Sequence, residues 1–187
     1  MPLTDPAPRR LLHQRDIELR GYQRDDGLFD IEATLTDTKT YAFTNQDRGE
    51  VHPGTPVHRM LARMTIDTDM TIQRFEADTE YGPFRICPAA APNFAALAGL
   101  VIGRGFLKAA NDRVGGIKGC THLRELLGQM GTVAFQTMFG VRKDPAPNAI
   151  ANPTRPALLN SCLAFAEDGE VAVRNWPEWH AAKAAKP

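Results

Sequence analysis

One imidazole and two thiols, His58, Cys87 and Cys120, are the side chains of this sequence best suited to hold a transition metal. Each stands beside a local break in regular structure. His58 follows Gly54-Thr55-Pro56 and opens an alternating run. Cys87 precedes Pro88 and an apolar stretch, and Cys120 follows Gly119 at the start of an amphipathic segment. Zinc and iron sites use these ligand types, and three protein ligands leave a fourth position for water or a substrate oxygen. The thiolate is the ligand, so the surroundings of each Cys matter. Cys120 precedes Thr121, the expected N-cap, and a helix N-terminus lowers the pKa of a nearby thiol. Pro88 favours a first helical position and gives Cys87 a similar claim. Taken singly, a free Cys is more often a small buried hydrophobe. A lone His on a covered sheet face is likewise more often a hydrogen-bonded core residue.

Other candidates flank this trio. His122, Glu125 and Gln129 form a polar stripe on the segment opened by Cys120, either a solvated face or the lining of a cavity. The segment Arg20-Gly21-Tyr22-Gln23-Arg24-Asp25-Asp26-Gly27 is dense in charge. As chemistry it reads as a clamp. Arg20 and Tyr22 would bind substrate, Arg24 would fix an anionic group, and Asp26 or His122 would move a proton. As structure it reads as a turn with solvated flanks. Cys162 is a spare ligand candidate, and no role is assigned to His52 or His180.

The elements that must position these residues follow from periodicity. Ile17 and Leu19 alternate with Asp16, Glu18, Arg20 and Tyr22, which predicts a strand over 13–22. Asp25-Asp26-Gly27 is a hairpin signal, and Phe29, Ile31, Ala33 and Leu35 alternate in a second strand. A third strand over 57–67 puts His58, Met60, Met64 and Ile66 on one face, and a fourth spans 71–81. Short connections make the sheet antiparallel. Its apolar face needs a cover. Helices over 91–103 and from Leu123 to Met138 supply it. A Pro/Asn loop follows Gly140 as far as Pro156. Leu163-Ala164-Phe165, Asp168-Gly169 and Val171-Ala172-Val173 predict a closing hairpin.

The expectation is a single α+β domain over 13–180, with a flexible lead-in (1–12) and a frayed tail (181–187). A chain of 187 residues can bury a real core. Its 22 Lys and Arg balance 22 Asp and Glu without a basic block, which argues against nucleic acid as a partner. The apolar run 94–102 is too short to span a bilayer. The start lacks a signal-type apolar region, and the three cysteines are far apart, which suggests a cytoplasmic protein with free or metal-bound thiols.

Two resemblances meet at these residues. Arg24-Asp25-Asp26-Gly27-Leu28-Phe29-Asp30-Ile31-Glu32, Gly119-Cys120-Thr121-His122-Leu123 and Ala134-Phe135-Gln136-Thr137 resemble an uncharacterised bacterial family, domain-of-unknown-function family 2889. Residues 50–135 also resemble NifU/IscU-type iron–sulfur cluster scaffold proteins. Gly54-Thr55-Pro56-Val57-His58, Cys87-Pro88-Ala89-Ala90-Ala91 and Cys120-Thr121-His122-Leu123 stand at the scaffold's three cysteine positions. That resemblance implies a scaffold-like α+β fold with an added N-terminal and C-terminal hairpin, and a shared site for His58, Cys87 and Cys120. His58 replaces the first Cys, Met60 replaces the acidic residue two places later, and Val114-Gly115-Gly116-Ile117-Lys118 stands where the chaperone-docking motif would be.

The resulting expectation is a metal-dependent enzyme of lyase or hydrolase type. It would use one Zn or Fe ion on a small organic molecule, aromatic ones included. The rival is a non-enzymatic metal or iron–sulfur cluster carrier. Small-molecule substrate, no nucleic acid and no membrane complete the expectation, with homo-oligomerisation left open.

Overall fold

The computed structural model describes residues 3–141, 156 and 158–184. The chain divides into two compact units, 1–139 and 140–187, where the sequence suggested one domain over 13–180. The first unit carries six strands: β1 (His13–Gln23), β2 (Phe29–Lys39), β3 (Phe43–Asn45), β4 (Gly49–Val51), β5 (His58–Ile66) and β6 (Ile72–Tyr81). A 3-10 helix (Cys87–Leu97) and the helices α1 (Phe106–Val114) and α2 (Thr121–Met138) follow.

The main sheet has the order β1-β2-β5-β6, all antiparallel, with the small β3–β4 hairpin inserted between β2 and β5. Alternation decides which side is covered. Phe29, Ile31, Ala33 and Leu35 of β2 and Met60, Ala62, Met64 and Ile66 of β5 are all buried. Phe94 and Leu97 of the 3-10 helix, with Leu123, Leu126, Leu127, Met130, Ala134 and Met138 of α2, complete that core. The opposite face carries cross-strand ion pairs, such as Arg63 with Glu32 and Arg59 with Glu80. Such pairs suit a solvated sheet surface.

The first helical cover differs from its expected form. A 3-10 helix occupies Cys87–Leu97 in place of an α-helix over 91–103, and Pro92 lies inside it. Proline removes an N–H and clashes with the preceding turn of an α-helix. Helix α1 was not visible as a separate periodic segment, because only Phe106, Ala110 and Val114 are buried. Gly21 sets how closely α2 lies on β1. A Cβ built there would fall 1.8 Å from Thr137 Oγ1, which itself donates to Val133 O at 2.8 Å.

The second unit replaces the expected hairpin with helices. Leu163–Phe165 is a 3-10 turn, Gly169 caps α3 (Glu170–Asn175), and α4 (Pro177–Ala184) follows. A three-residue alternation does not separate a strand from a single helical turn. Glu170 in the first turn and Arg174 in the last suit the helix dipole instead. Trp176 packs on Phe165 with ring centroids 5.4 Å apart. Helix α4 continues through Ala184, past the expected fraying point at Ala181. Most of the expected Pro/Asn loop, 142–155, lies outside the described residues. Among the described residues, no helix is long and apolar enough to cross a membrane.

Gly21→Ala is expected to destabilise the protein by about 1–3 kcal/mol, the usual cost of overpacking. Urea denaturation measures it. An unchanged midpoint would show that α2 does not press on β1 at this point.

Candidate functional site

The buried stripe of β2 does not stop at Leu35. It continues in the same parity to Asp37, whose side chain is only 1% exposed. The register then builds a polar row at one end of an apolar sheet face. Arg15 of β1 lies opposite Asp37, and His58 of β5 lies opposite it on the other side. Neighbouring strands are about 5 Å apart, so the three side chains meet.

They meet through charge-assisted hydrogen bonds. Arg15 Nε donates to Asp37 Oδ1 at 2.7 Å and Nη2 donates to Oδ2 at 2.8 Å. His58 Nδ1 lies 3.0 Å from Oδ2, and His13 Nε2 lies 3.2 Å from Oδ1. The fork geometry of a guanidinium matches a carboxylate, and it makes burial of this charge tolerable.

Helix α2 closes the row from above. Its second residue, His122, lies over His58 with ring centroids 3.8 Å apart and planes inclined by 31°. His122 Nε2 stands 3.9 Å from Asp37 Oδ2, and Nδ1 faces the Cys120 thiol at 3.8 Å. One turn further on, Glu125 Oε2 accepts from Arg15 Nη1 at 2.6 Å. The start of α2 is fixed by Gly119, where a Cβ would meet the Val114 carbonyl oxygen at 1.9 Å. The cap residue is Cys120, one place before the expected Thr121.

These contacts shift the titrations. Burial alone would push the Asp37 carboxyl up, but the hydrogen bonds and charge of Arg15, with help from His58, hold it below its ordinary value. Burial and the neighbouring His122 push His58 down, against the pull of Asp37. Neutral His58 donating from Nδ1 keeps a lone pair on Nε2. Burial raises the Cys120 thiol, but His122 and the backbone N–H groups of Leu123 and His122 bring it below the ordinary thiol value.

Asp37, His58 and His122 form the ligand-type group that converges among the described residues, with one donor atom from each lying within 4.8 Å of the others. The group shares His58 with the ligand set expected from sequence and contains neither Cys87 nor Cys120. Cys120 borders it through His122. Cys87 is half-buried at the start of the 3-10 helix, against Gly82.

The clamp residues lie elsewhere. Arg24 and Asp26 pair with each other at 2.6 Å in the β1–β2 turn, where Asp26 Oδ1 also accepts from Leu28 N. The turn begins eight strand residues beyond Arg15, roughly 25 Å away at the rise of an extended chain. Arg20, paired with Glu18, and the exposed Tyr22 have the opposite parity from Arg15 and occupy the uncovered face. Turn and surface chemistry account for all four, so they are not partners of His122. Sequence reasoning missed Asp37 and Arg15. The signal was parity, since both continue the alternation of apolar residues on their strands.

Asp37 and His58 both bind protons more readily in the unfolded chain. The stability that Asp37 supplies is therefore present above the usual carboxylate pKa and lost as pH falls through its lower folded value. His58 begins to oppose folding as pH drops below about 6.5. The denaturation midpoint is expected to fall as pH drops below about 6.5, with a slope of at most about 1.4 kcal/mol per pH unit for one proton. His58→Gln should flatten that slope. An identical slope in the variant would remove His58 as its source.

No curated protein and no solved structure matches the chain. The expected likeness to NifU/IscU-type scaffolds therefore finds no support. A family model described as a protein of unknown function (DUF2889) matches residues 13–136. That span runs from the first residue of β1 to near the end of α2 and takes in Arg15, Asp37, His58, Cys120, His122 and Glu125. The chain belongs to the DUF2889 family.

Proposed function

We propose that this chain is a metal-dependent enzyme of lyase or hydrolase type, acting on a small organic molecule, with one zinc or iron ion held by Asp37, His58 and His122. The observation that carries the reading is the convergence of two imidazoles and a carboxylate at the rim of a closed core. Ligand bonds of about 2.0–2.2 Å place tetrahedral donor atoms about 3.4 Å apart. Asp37 Oδ2 stands 3.0 Å from His58 Nδ1 and 3.9 Å from His122 Nε2, on either side of that spacing, so metal binding would replace the Asp37–His58 hydrogen bond and shift the His58 proton to Nε2.

The donor chemistry fits. A carboxylate offers about four lone-pair sites. Arg15 occupies one on each oxygen of Asp37, and the one on Oδ2 that accepts from His58 Nδ1 in the metal-free protein would turn to the ion. Arg15 then acts as the outer partner that orients a ligating carboxylate. The side chains of His58 and His122 are 16% and 22% exposed, so a small molecule can reach them. A metal ion at this position would supply Lewis-acid polarisation of a substrate oxygen. Cys120 beside His122 Nδ1 orients that ring.

The carrier reading, metal or iron–sulfur, depends on thiolates. Cys120 borders the group, but the group itself contains no thiol.

Elemental analysis of protein purified without chelators tests the reading. About one zinc or iron per chain is expected, lost in the His58→Ala/His122→Ala double variant and kept in Cys87→Ala. Metal lost from Cys87→Ala would restore His58, Cys87 and Cys120 as the ligands. A visible cluster spectrum after reconstitution with iron and sulfide would favour the carrier, and stoichiometric metal in the double variant would end the proposal.

A further inference from the structure

Arg15 has three guanidinium nitrogens and two tasks. Nε and Nη2 are committed to buried Asp37, which holds the guanidinium plane in place. Nη1 points away from the core, and its acceptor is Glu125 Oε2 at 2.6 Å. The side chain of Glu125 is 53% exposed and that of Arg15 is 31% exposed. Exposed ion pairs contribute little to stability, so this outer contact is easily exchanged while the inner one stays.

We propose that Arg15 Nη1 is the docking point for the carboxylate of a small organic acid, and that Glu125 occupies the place of that carboxylate. The inference names the substrate class of the site proposed above and rests on that reading. Three observations support it. The guanidinium is pre-oriented by Asp37, so little side-chain freedom is lost when an anion binds. Arg15, Asp37 and His58 occupy successive strands of one row, each about 5 Å from the next, so a carboxylate on Nη1 leaves the body of a small acid within reach of the His58–His122 pair. The N-terminal end of α2, from which Glu125 reaches Arg15, adds a helix-dipole field that favours anions.

Benzoate is the probe, titrated into the full chain with and without EDTA and followed by side-chain NMR of Arg15 and by calorimetry. Glu125→Gln keeps the Asp37–Arg15 contact and removes the competing charge. It should bind benzoate about 1.5- to fivefold more tightly than the wild type, the range expected for losing an exposed ion pair. Arg15→Lys should weaken binding about tenfold or more. Neutral benzamide should not compete. Arg15→Lys could fail to fold with Asp37 poorly paired, so Glu125→Gln decides the outcome. Binding that is unchanged, weaker or absent in Glu125→Gln overturns the proposal, as does benzamide binding as well as benzoate. The effect is read in metal-free protein, so its loss sinks the carboxylate site alone. Stoichiometric metal in the histidine double variant would sink the metal reading alone.

Discussion

A carboxylate buried at the end of an apolar sheet stripe must be compensated, because an isolated charge in that position costs several kcal/mol. Asp37 is compensated from both neighbouring strands, by Arg15 on one side and His58 on the other. The rest of the site depends on this arrangement. Arg15 is held flat because two of its nitrogens serve Asp37. His58 is held in one tautomer because Nδ1 faces the same carboxylate. Together they turn one end of a hydrophobic face into a fixed set of donors and acceptors.

Close packing brings the second half of the site. Helix α2 lies on β1 where Gly21 meets Thr137, and it starts where Gly119 meets the Val114 carbonyl. These two approaches set its rotation and its start. They place His122 over His58 and Glu125 over Arg15. The apolar stripe of α2 anchors that position with five large side chains in the core. The functional histidine thus inherits its placement from packing a few residues further along the same helix.

Much of the sheet was legible in the sequence. Alternation located the four strands of the main sheet, their antiparallel order and the covered face. Helix α2 was legible from its three-four spacing. The 3-10 helix was not, because its apolar residues are compatible with an α-helix until Pro92 is weighed. The C-terminal helices were not legible either, since runs of three residues carry too little periodicity. The candidate site was half legible. His58 lay on the covered face as expected, and His122 on the polar edge of α2. Cys87 and Cys120 drew attention as ligand types, and the turn at Arg24–Asp26 drew attention by charge density. Neither property reports distance.

What the sequence by itself determined is local: which strands form, which face is apolar, and that His58 and His122 lie on elements facing each other across the core. Periodicity decides these matters within one element at a time. The tertiary structure decided the rest. Strand register put Arg15, Asp37 and His58 in one row, and the docking of α2 lowered His122 onto it. Register and docking are relations between residues far apart in the chain. They are set by the sum of packing across the core, so no single segment encodes them.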